Sequence, residues 1–592
     1  MTMTMTMRQR AQKIKKQYRN SRGRHQRRLL ALAVVSVATL TLGSCTRVPT
    51  STEPQALRPF DRTIAEEDLH KPQPGLEPDL LLRDFYAASA IPAGDYSAAR
   101  NYLTREAAEA WDPHDSMLIV DRIDLTTQPG GNAQRRSLTV RGEVIGSLEE
   151  GGSYVPQNGV YEATVQLEQV SGEWRIASLP AGVIMERTEL SNQYNPHSIY
   201  FLDASGETLV PDRRWVYTGT DSLDSVLLSL LAAGPTDRLA PAISSEFPKE
   251  AAYIGKTDGV YEFSGLSNMD RERRTTFAAQ VVWTLARAGI SGPYRILADG
   301  APLLDVDALT PDDFAAMNPQ VTNQDVTELY ALTDSRLYSV DNEEATVVDG
   351  PLGEAGNVSS LDVTASGYVA AVLNVPDDEG QAFSVGGIIH PQTEVLRAAT
   401  ITRPSFELDD NVAWVAIDGH RVIRAVRSTA SGEVVSNEVG TAFLDDIDGE
   451  ISVLRLSRSG ARVAMIIDGR LYTGIVERTS AGERSIVNVL EYATDYGGSI
   501  ISVDWKEDGA LIVGTSVPDA PVLRVEQDGS AVTTLSTGNI NAPVVMVAAS
   551  PTMIYATDAN AILQLPTQGN EYPNWREVPG LQGMRAAPVV AK

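Results

Sequence analysis

The residue whose type and setting prescribe a reaction is Cys45. It is the single cysteine among 592 residues, so it forms neither an intramolecular disulfide nor a cysteine-based zinc cluster. Leu42-Gly43-Ser44 precede it, at the end of an apolar run. The stretch resembles the bacterial lipobox, which implies acylation of the Cys45 sulfur, cleavage of the Ser44-Cys45 bond and acylation of the new amino terminus. The alternative is an incidental thiol in a plain signal peptide or an uncleaved anchor. A lone exposed cysteine is a liability in an oxidising compartment, whereas two or three acyl chains hold far more firmly than one.

Other residue types that carry chemistry are dispersed. His70, His114, His197, His390 and His420 follow no zinc-binding spacing and read as surface histidines. Trp111-Asp-Pro-His-Asp115 follows a helical pattern and reads as a turn. Gly255-Lys256-Thr257 mimics the end of a phosphate loop, but Glu250 stands where a glycine is required. Gly350-Pro-Leu-Gly-Glu-Ala-Gly356 has the wrong spacing for a dinucleotide fingerprint, and no Gly-x-Ser-x-Gly elbow occurs. Asp445-Asp-Ile-Asp-Gly-Glu450 lacks the downstream glutamate of a calcium loop. The expectation is a protein with no catalytic residues, no metal site and no cofactor.

The elements ahead of Cys45 fit its chemistry. Arg8, Arg10, Lys13, Lys15, Lys16, Arg19, Arg22, Arg24, Arg27 and Arg28 form a basic region, and Leu29 to Leu42 an apolar one too short for the roughly 20 residues of a spanning helix. Basic, apolar, small, cysteine is the order of the bacterial lipobox. Residues 1–44 therefore read as a lipoprotein signal peptide, its basic end kept on the cytoplasmic side. Met1, Met3, Met5 and Met7 all precede the same signal.

Composition bounds the rest. The bulk is that of a folded soluble protein, with 43% hydrophobic and 21% charged residues and a mean hydropathy of -0.15. That excludes a polytopic membrane protein and a disordered scaffold. The net charge of -27 argues against a nucleic-acid binder, and removal of the signal leaves 40 basic against 77 acidic side chains, a net -37. We read this charge as a solvated surface, not an acidic binding face. Length alone allows about four domains.

Residues 45–75 carry Pro49, Pro54, Pro59, Pro72 and Pro74 among polar residues and read as a flexible tether. Residues 76–190 read as an α+β domain: helices over Asp79–Ala88 and Tyr96–Trp111, then alternating strands over 118–125, 137–148, 161–170 and 173–179 on an antiparallel sheet. Their order is that of the cone-shaped NTF2-type fold. In residues 198–305 a strand at Ile199–Asp203 precedes a helix over Asp224–Ala233, capped by Asp221 and stopped by Gly234-Pro235-Thr236. A second helix over about Met269–Ala288 leads to Tyr294–Leu297 and the Asp299-Gly300 turn. Residues 321–592 alternate short strands and turns with almost no helix pattern. Gly367, Gly460 and Gly509 sit in equivalent turns, Asp410-Asn411 fits an intervening one, and the period of about 45 is that of a propeller blade, with room for five or six. Asp362, Trp414, Asp504 and Trp505 near the blade centres read as structural. The fold class is thus two α+β domains followed by an all-β propeller.

Tyr-Phe-Leu-Asp203, Leu-Leu-Ala-Ala-Gly-Pro-Thr236 and Ile-Leu-Ala-Asp-Gly300 resemble the GerMN domain of bacterial exported proteins. With the lipobox at Cys45 and the domain order, the whole mature chain resembles the LpqB family of actinobacterial lipoproteins. The resemblance implies a protein lipid-anchored at Cys45 on the extracytoplasmic face of the cell membrane, binding the extracytoplasmic domain of the sensor histidine kinase of the MtrA/MtrB two-component system in envelope homeostasis and cell division. The alternatives are an envelope glycan- or peptide-binding protein or enzyme, and a structural brace for wall assembly.

Overall fold

Proline at the first position of helix α1 (Pro78–Ser89) and Asp79 in its first turn suit the unpaired N–H groups and positive end of a helix. The computed structural model describes residues 71–244, 248–319, 327–341, 343–375, 380–480, 482–567 and 574–592. Leu81, Leu82 and Phe85 on one face of α1 are buried against the sheet that follows. The expected second helix over Tyr96–Trp111 is instead two, α2 (Ala93–Arg100) and α3 (Arg105–Ala110). Between them the backbone leaves the helix to pair with a strand: Thr104 N–H donates to the Ile176 carbonyl at 2.8 Å, and its hydroxyl accepts from Ala107 to start α3.

Six strands complete this domain: β1 (Met117–Val120), β2 (Asp124–Thr127), β3 (Arg135–Glu149), β4 (Ser153–Val170), β5 (Glu173–Ser178) and β6 (Val183–Glu186), in the order β5-β4-β3-β1-β6 with β2 beside β3. One edge departs from the expected antiparallel sheet, since β1 pairs β6 parallel. The crossover between them is long enough to include the β3–β5 meander, which a parallel connection requires. Trp111 pins the helices to the sheet, stacking edge-on against Phe85 and donating its indole N–H to the Gly182 carbonyl at 3.1 Å.

Helix α4 (Arg187–Gln193) leads directly into β7 (Tyr194–Leu202), which forms a two-stranded hairpin with β8 (Leu209–Tyr217). Val210 and Val216 on β8 are both buried. Helix α5 (Leu223–Ala233) buries Leu227, Leu228 and Leu231. Ser222, not Asp221, occupies its N-cap position, and Asp224 in the first turn accepts from Ser222 Oγ and the Ser225 N–H. Strands β9 (Ala252–Thr257), β10 (Val260–Ser264), β11 (Arg295–Ala298) and β12 (Ala301–Pro302) form the second sheet, with α6 (Arg271–Arg287) between β10 and β11. Asp270 caps α6 by accepting from Arg273 N–H at 2.9 Å. Thr284 and Gln280 on α6 accept from the backbone of Tyr200 and Leu202, so helix and hairpin are locked together.

Among the described residues the last domain has six four-stranded sheets, one to each blade. Blade 2 is 358–398, blade 3 is 405–439, blade 4 is 451–492, blade 5 is 500–534 and blade 6 is 546–577. Blade 1 is composite. Its innermost strand, Ala587–Val590, pairs antiparallel with Leu329–Thr333, with Leu329 opposite Val590. The ring is thereby closed by joining the two ends of the domain, which removes an open edge on each side. Successive blades share apolar layers; Trp414 of blade 3, for example, is fully buried among residues of blade 4 such as Leu454 and Met465.

Candidate functional site

The innermost strands of the propeller carry a repeated position five residues ahead of the first turn glycine: Asp362 before Gly367, Arg455 before Gly460 and Asp504 before Gly509. Ring closure brings the three together on the axis. Arg455 Nη2 lies 3.3 Å from the Asp362 carboxylate and its Nε 3.4 Å from Asp504. Arg403 reaches Asp362 at 3.5 Å, and the Lys592 ammonium reaches Asp504 at 2.7 Å. Backbone donors complete the set, with Ala549 N–H on Asp504 at 2.9 Å and Phe406 N–H on Asp362 at 3.3 Å. Burial pushes the Asp504 carboxyl up, but Lys592, Arg455 and Arg403 outweigh it and hold the group at about 2. The result is a charged plug in which two carboxylates are shared among three cations, so each ion has an opposite charge beside it, the condition under which ions persist in a core.

Above this plug a cavity of about 530 Å³ opens at the ends of the inner strands, and all six blades contribute to it. Its wall includes Phe406, Leu408, Trp505 and Pro551; its rim carries Glu328, Asp410, Arg458, Lys506 and Glu507. Glu407 at the same mouth is held by Arg424 at 2.7 Å and by the Trp414 indole N–H at 2.7 Å. Arg478 lies between this carboxylate and Asp203 of the preceding domain, 3.9 and 3.8 Å away.

That domain is seated on blades 4 and 5. Trp215 on β8 donates to Asp528 at 3.0 Å, and Arg213 pairs with Glu526 and Asp528 at 3.0 and 3.2 Å. Arg238 donates to Tyr492 Oη at 2.6 Å and Thr473 Oγ1 at 2.9 Å, while its carbonyl accepts from Asn488. Arg462 gives a hydrogen bond to the Pro211 carbonyl at 2.7 Å; burial pulls its guanidinium down to about 10. Ala461 and Ile475 of blade 4 belong to the same apolar cluster as Phe201 and Leu231, so hydrophobic contact is continuous across the junction.

Sequence-derived candidates fall in several places. Ser44 and Cys45 lie outside the described residues. Asp362 and Asp504 form the plug, Trp505 donates its indole N–H to the Arg455 carbonyl at 2.9 Å, and Trp414 orients Glu407. Lys256 of the false phosphate loop lies on β9 and pairs with Asp224 at 2.7 Å. Gly234, at φ 96°, ends α5, and Thr236 donates its N–H to Asp212 at 2.8 Å, so the Gly-Pro-Thr stretch serves to fix the hairpin. Arg403, Arg455, Arg478 and Lys592 escaped the sequence reading; the alternation Asp, Arg, Asp before the turn glycines was the signal for one of them. Among the described residues, no group of three metal-ligating side chains occurs, and no helix is long and apolar enough to cross a membrane.

Three family models match, one per domain: "Lipoprotein LpqB, N-terminal domain" over residues 71–191, "Sporulation and spore germination" (the germane, or GerMN, model) over 198–304 and "Lipoprotein LpqB beta-propeller domain" over 335–591. The chain is 42% identical over 577 residues to Lipoprotein LpqB of Corynebacterium diphtheriae, covering 96% of this chain and 99% of that one. It is 38% identical over 582 residues to Lipoprotein LpqB of Rhodococcus jostii, covering 94% and 97%. Among solved structures, TolB from Acinetobacter baumannii matches at TM-score 0.31 and 13% identity, over 47% of this chain and 69% of that one. Fold and plugged, open-mouthed ring together define a multidomain β-propeller protein with two α+β domains ahead of the ring. The chain belongs to the LpqB lipoprotein family.

Proposed function

We propose that this protein is a non-catalytic accessory regulator, lipid-anchored through Cys45 on the extracytoplasmic face of the cell membrane, that binds the extracytoplasmic domain of the MtrB sensor kinase. The observation that carries a binding role is the seat of the GerMN domain on blades 4 and 5: Trp215, Arg213, Arg238 and Arg462 make one surface of two domains, with an open cavity of about 530 Å³ beside it. The ionisable groups at the bottom of that cavity are spent on one another, which favours recognition over proton transfer or nucleophilic attack. Family membership supports the lipid, and the tether of residues 45–75 would set the height of the folded part. Confinement to the membrane plane raises effective concentration, so modest contacts suffice. The N-terminal domain, in this reading, is a cone of NTF2 type that spaces the GerMN domain from the tether.

The test is binding of the mature protein in nanodiscs to the kinase's extracytoplasmic domain, with autophosphorylation followed in liposomes. Saturable binding that changes kinase output is expected. No binding at high micromolar concentration removes the proposal and directs attention to envelope glycans and peptides.

A further inference from the structure

We propose that the propeller mouth is the seat for a cationic side chain, a lysine or arginine carried on a loop of a partner protein. This deepens the regulatory reading and rests on it only for which protein supplies the loop; the chemistry of the occupant comes from the cavity.

The cations around the mouth are already engaged. Arg455 lies between Asp362 and Asp504, Lys592 is on Asp504 at 2.7 Å, Lys506 on Asp508 at 3.1 Å and Arg458 faces Glu507 at 3.6 Å. Glu407 is likewise satisfied by Arg424. The carboxylates of Glu328 and Asp410 have hydroxyl partners instead, Tyr330 Oη at 2.7 Å and Ser366 Oγ, and no ion-pair partner among the described residues. The charge left over at the rim is therefore negative.

The wall between these carboxylates is apolar. Phe406, Trp505 and Pro551 line it, and Leu408 leaves 40% of its surface exposed, one of few large hydrophobic side chains to do so. An aliphatic stem ending in a positive head matches that combination: the stem covers the wall and the head reaches the rim. An acidic or phosphorylated group meets the wrong charge. A bare metal ion finds no group of three ligands among the described residues. The mouth is formed by turns of all six blades and is joined through Glu407 and Arg478 to Asp203, so an entering loop would also touch the surface beside the domain junction.

The experiment uses mature protein in nanodiscs, wild type, a mouth variant (Glu328→Gln, Asp410→Asn, Glu507→Gln) and a charge-matched control with exposed turn carboxylates removed at the far ends of the blades (Asp418→Asn, Asp468→Asn, Asp495→Asn). Melting temperatures report folding. Each is titrated with the kinase's extracytoplasmic domain and, to millimolar concentration, with capped peptides Gly-Leu-Arg-Leu-Gly and Gly-Leu-Glu-Leu-Gly. Expected is a preference for the arginine peptide and at least a ten-fold loss of binding in the mouth variant alone, shrinking as salt is raised. Kinase-domain binding that survives unchanged in a folded mouth variant overturns the inference and leaves the regulatory reading standing. Arginine-peptide binding lost in the mouth variant, with no kinase-domain binding to wild type, keeps the seat and removes that partner. Equal or absent binding of both peptides, with kinase-domain binding alike in the mouth and control variants, overturns the seat.

Discussion

The indole N–H of Trp215 donates to the carboxylate of Asp528 at 3.0 Å, joining strand β8 to a turn of blade 5 that lies 313 residues further along the chain. Asp528 is buried and also meets Arg213 at 3.2 Å. Trp215→Phe keeps most of the apolar contact and removes the donor, at a cost of about 1–2 kcal/mol. Hydrogen exchange should quicken at residues 526–530 and in β8 together; exchange rising on one side only would show that the junction is not shared.

Arg455 compensates two buried carboxylates. Arg455→Met leaves Asp362 and Asp504 facing each other with Arg403 and Lys592 alone, and should destabilise the propeller by roughly 3–5 kcal/mol. Urea denaturation followed by tryptophan fluorescence measures this, with Trp505, whose indole N–H meets the Arg455 carbonyl, as a local reporter.

Asp504 carries a pH signature. Its folded-state value of about 2 lies below the ordinary 3.8, so the stability it adds is fully present above pH ~4 and is lost as pH falls through 3.8 toward 2. That difference corresponds to roughly 2 kcal/mol. The destabilisation of Asp504→Asn relative to wild type should accordingly be largest near neutral pH and shrink below pH ~4. A gap that stays constant down to pH ~2.5 refutes the assignment.

Gly152, at φ 77°, passes so close to β8 that a Cβ would lie 2.2 Å from the Trp215 carbonyl oxygen. Gly152→Ala therefore suffers both backbone strain and a collision with main chain, and should cost more than ~1 kcal/mol. Gly172, also at positive φ (88°) but in open space, is the control, with strain as its only penalty. Thermal melts of the two variants compare them directly.

Cys45→Ala should move the protein from the membrane fraction to the soluble one and abolish incorporation of labelled palmitate. If the unanchored, exported variant supports kinase signalling as well as wild type, anchoring is dispensable to the proposed regulation.

Domain order and blade period were legible because they rest on local signals: Gly234-Pro235 after an apolar helix face, and a glycine five residues past Asp362, Arg455 and Asp504 on three of the inner strands. What escaped depends on closure. Arg403 and Lys592 occupy no repeat position shared with Asp362, and only the ring brings them within 3.5 Å of the plug carboxylates. The break between α2 and α3 was hidden for a similar reason, since Tyr96–Trp111 reads as helix until Ile176 offers Thr104 a strand partner. Blade 1 was unreadable as a repeat because it is assembled from Leu329–Val347 and Ala587–Val590, at opposite ends of the domain.

That composite blade also orders events in time. A chain made amino end first delivers Leu329 long before Val590, its partner in the ladder. Until the final strand emerges, five blades and part of a sixth wait as an arc with two raw edges, exposed to pairing with other chains. The clasp is the last piece to arrive, so the propeller closes only when the whole chain has been delivered, and chain growth itself serves as the timer of its folding.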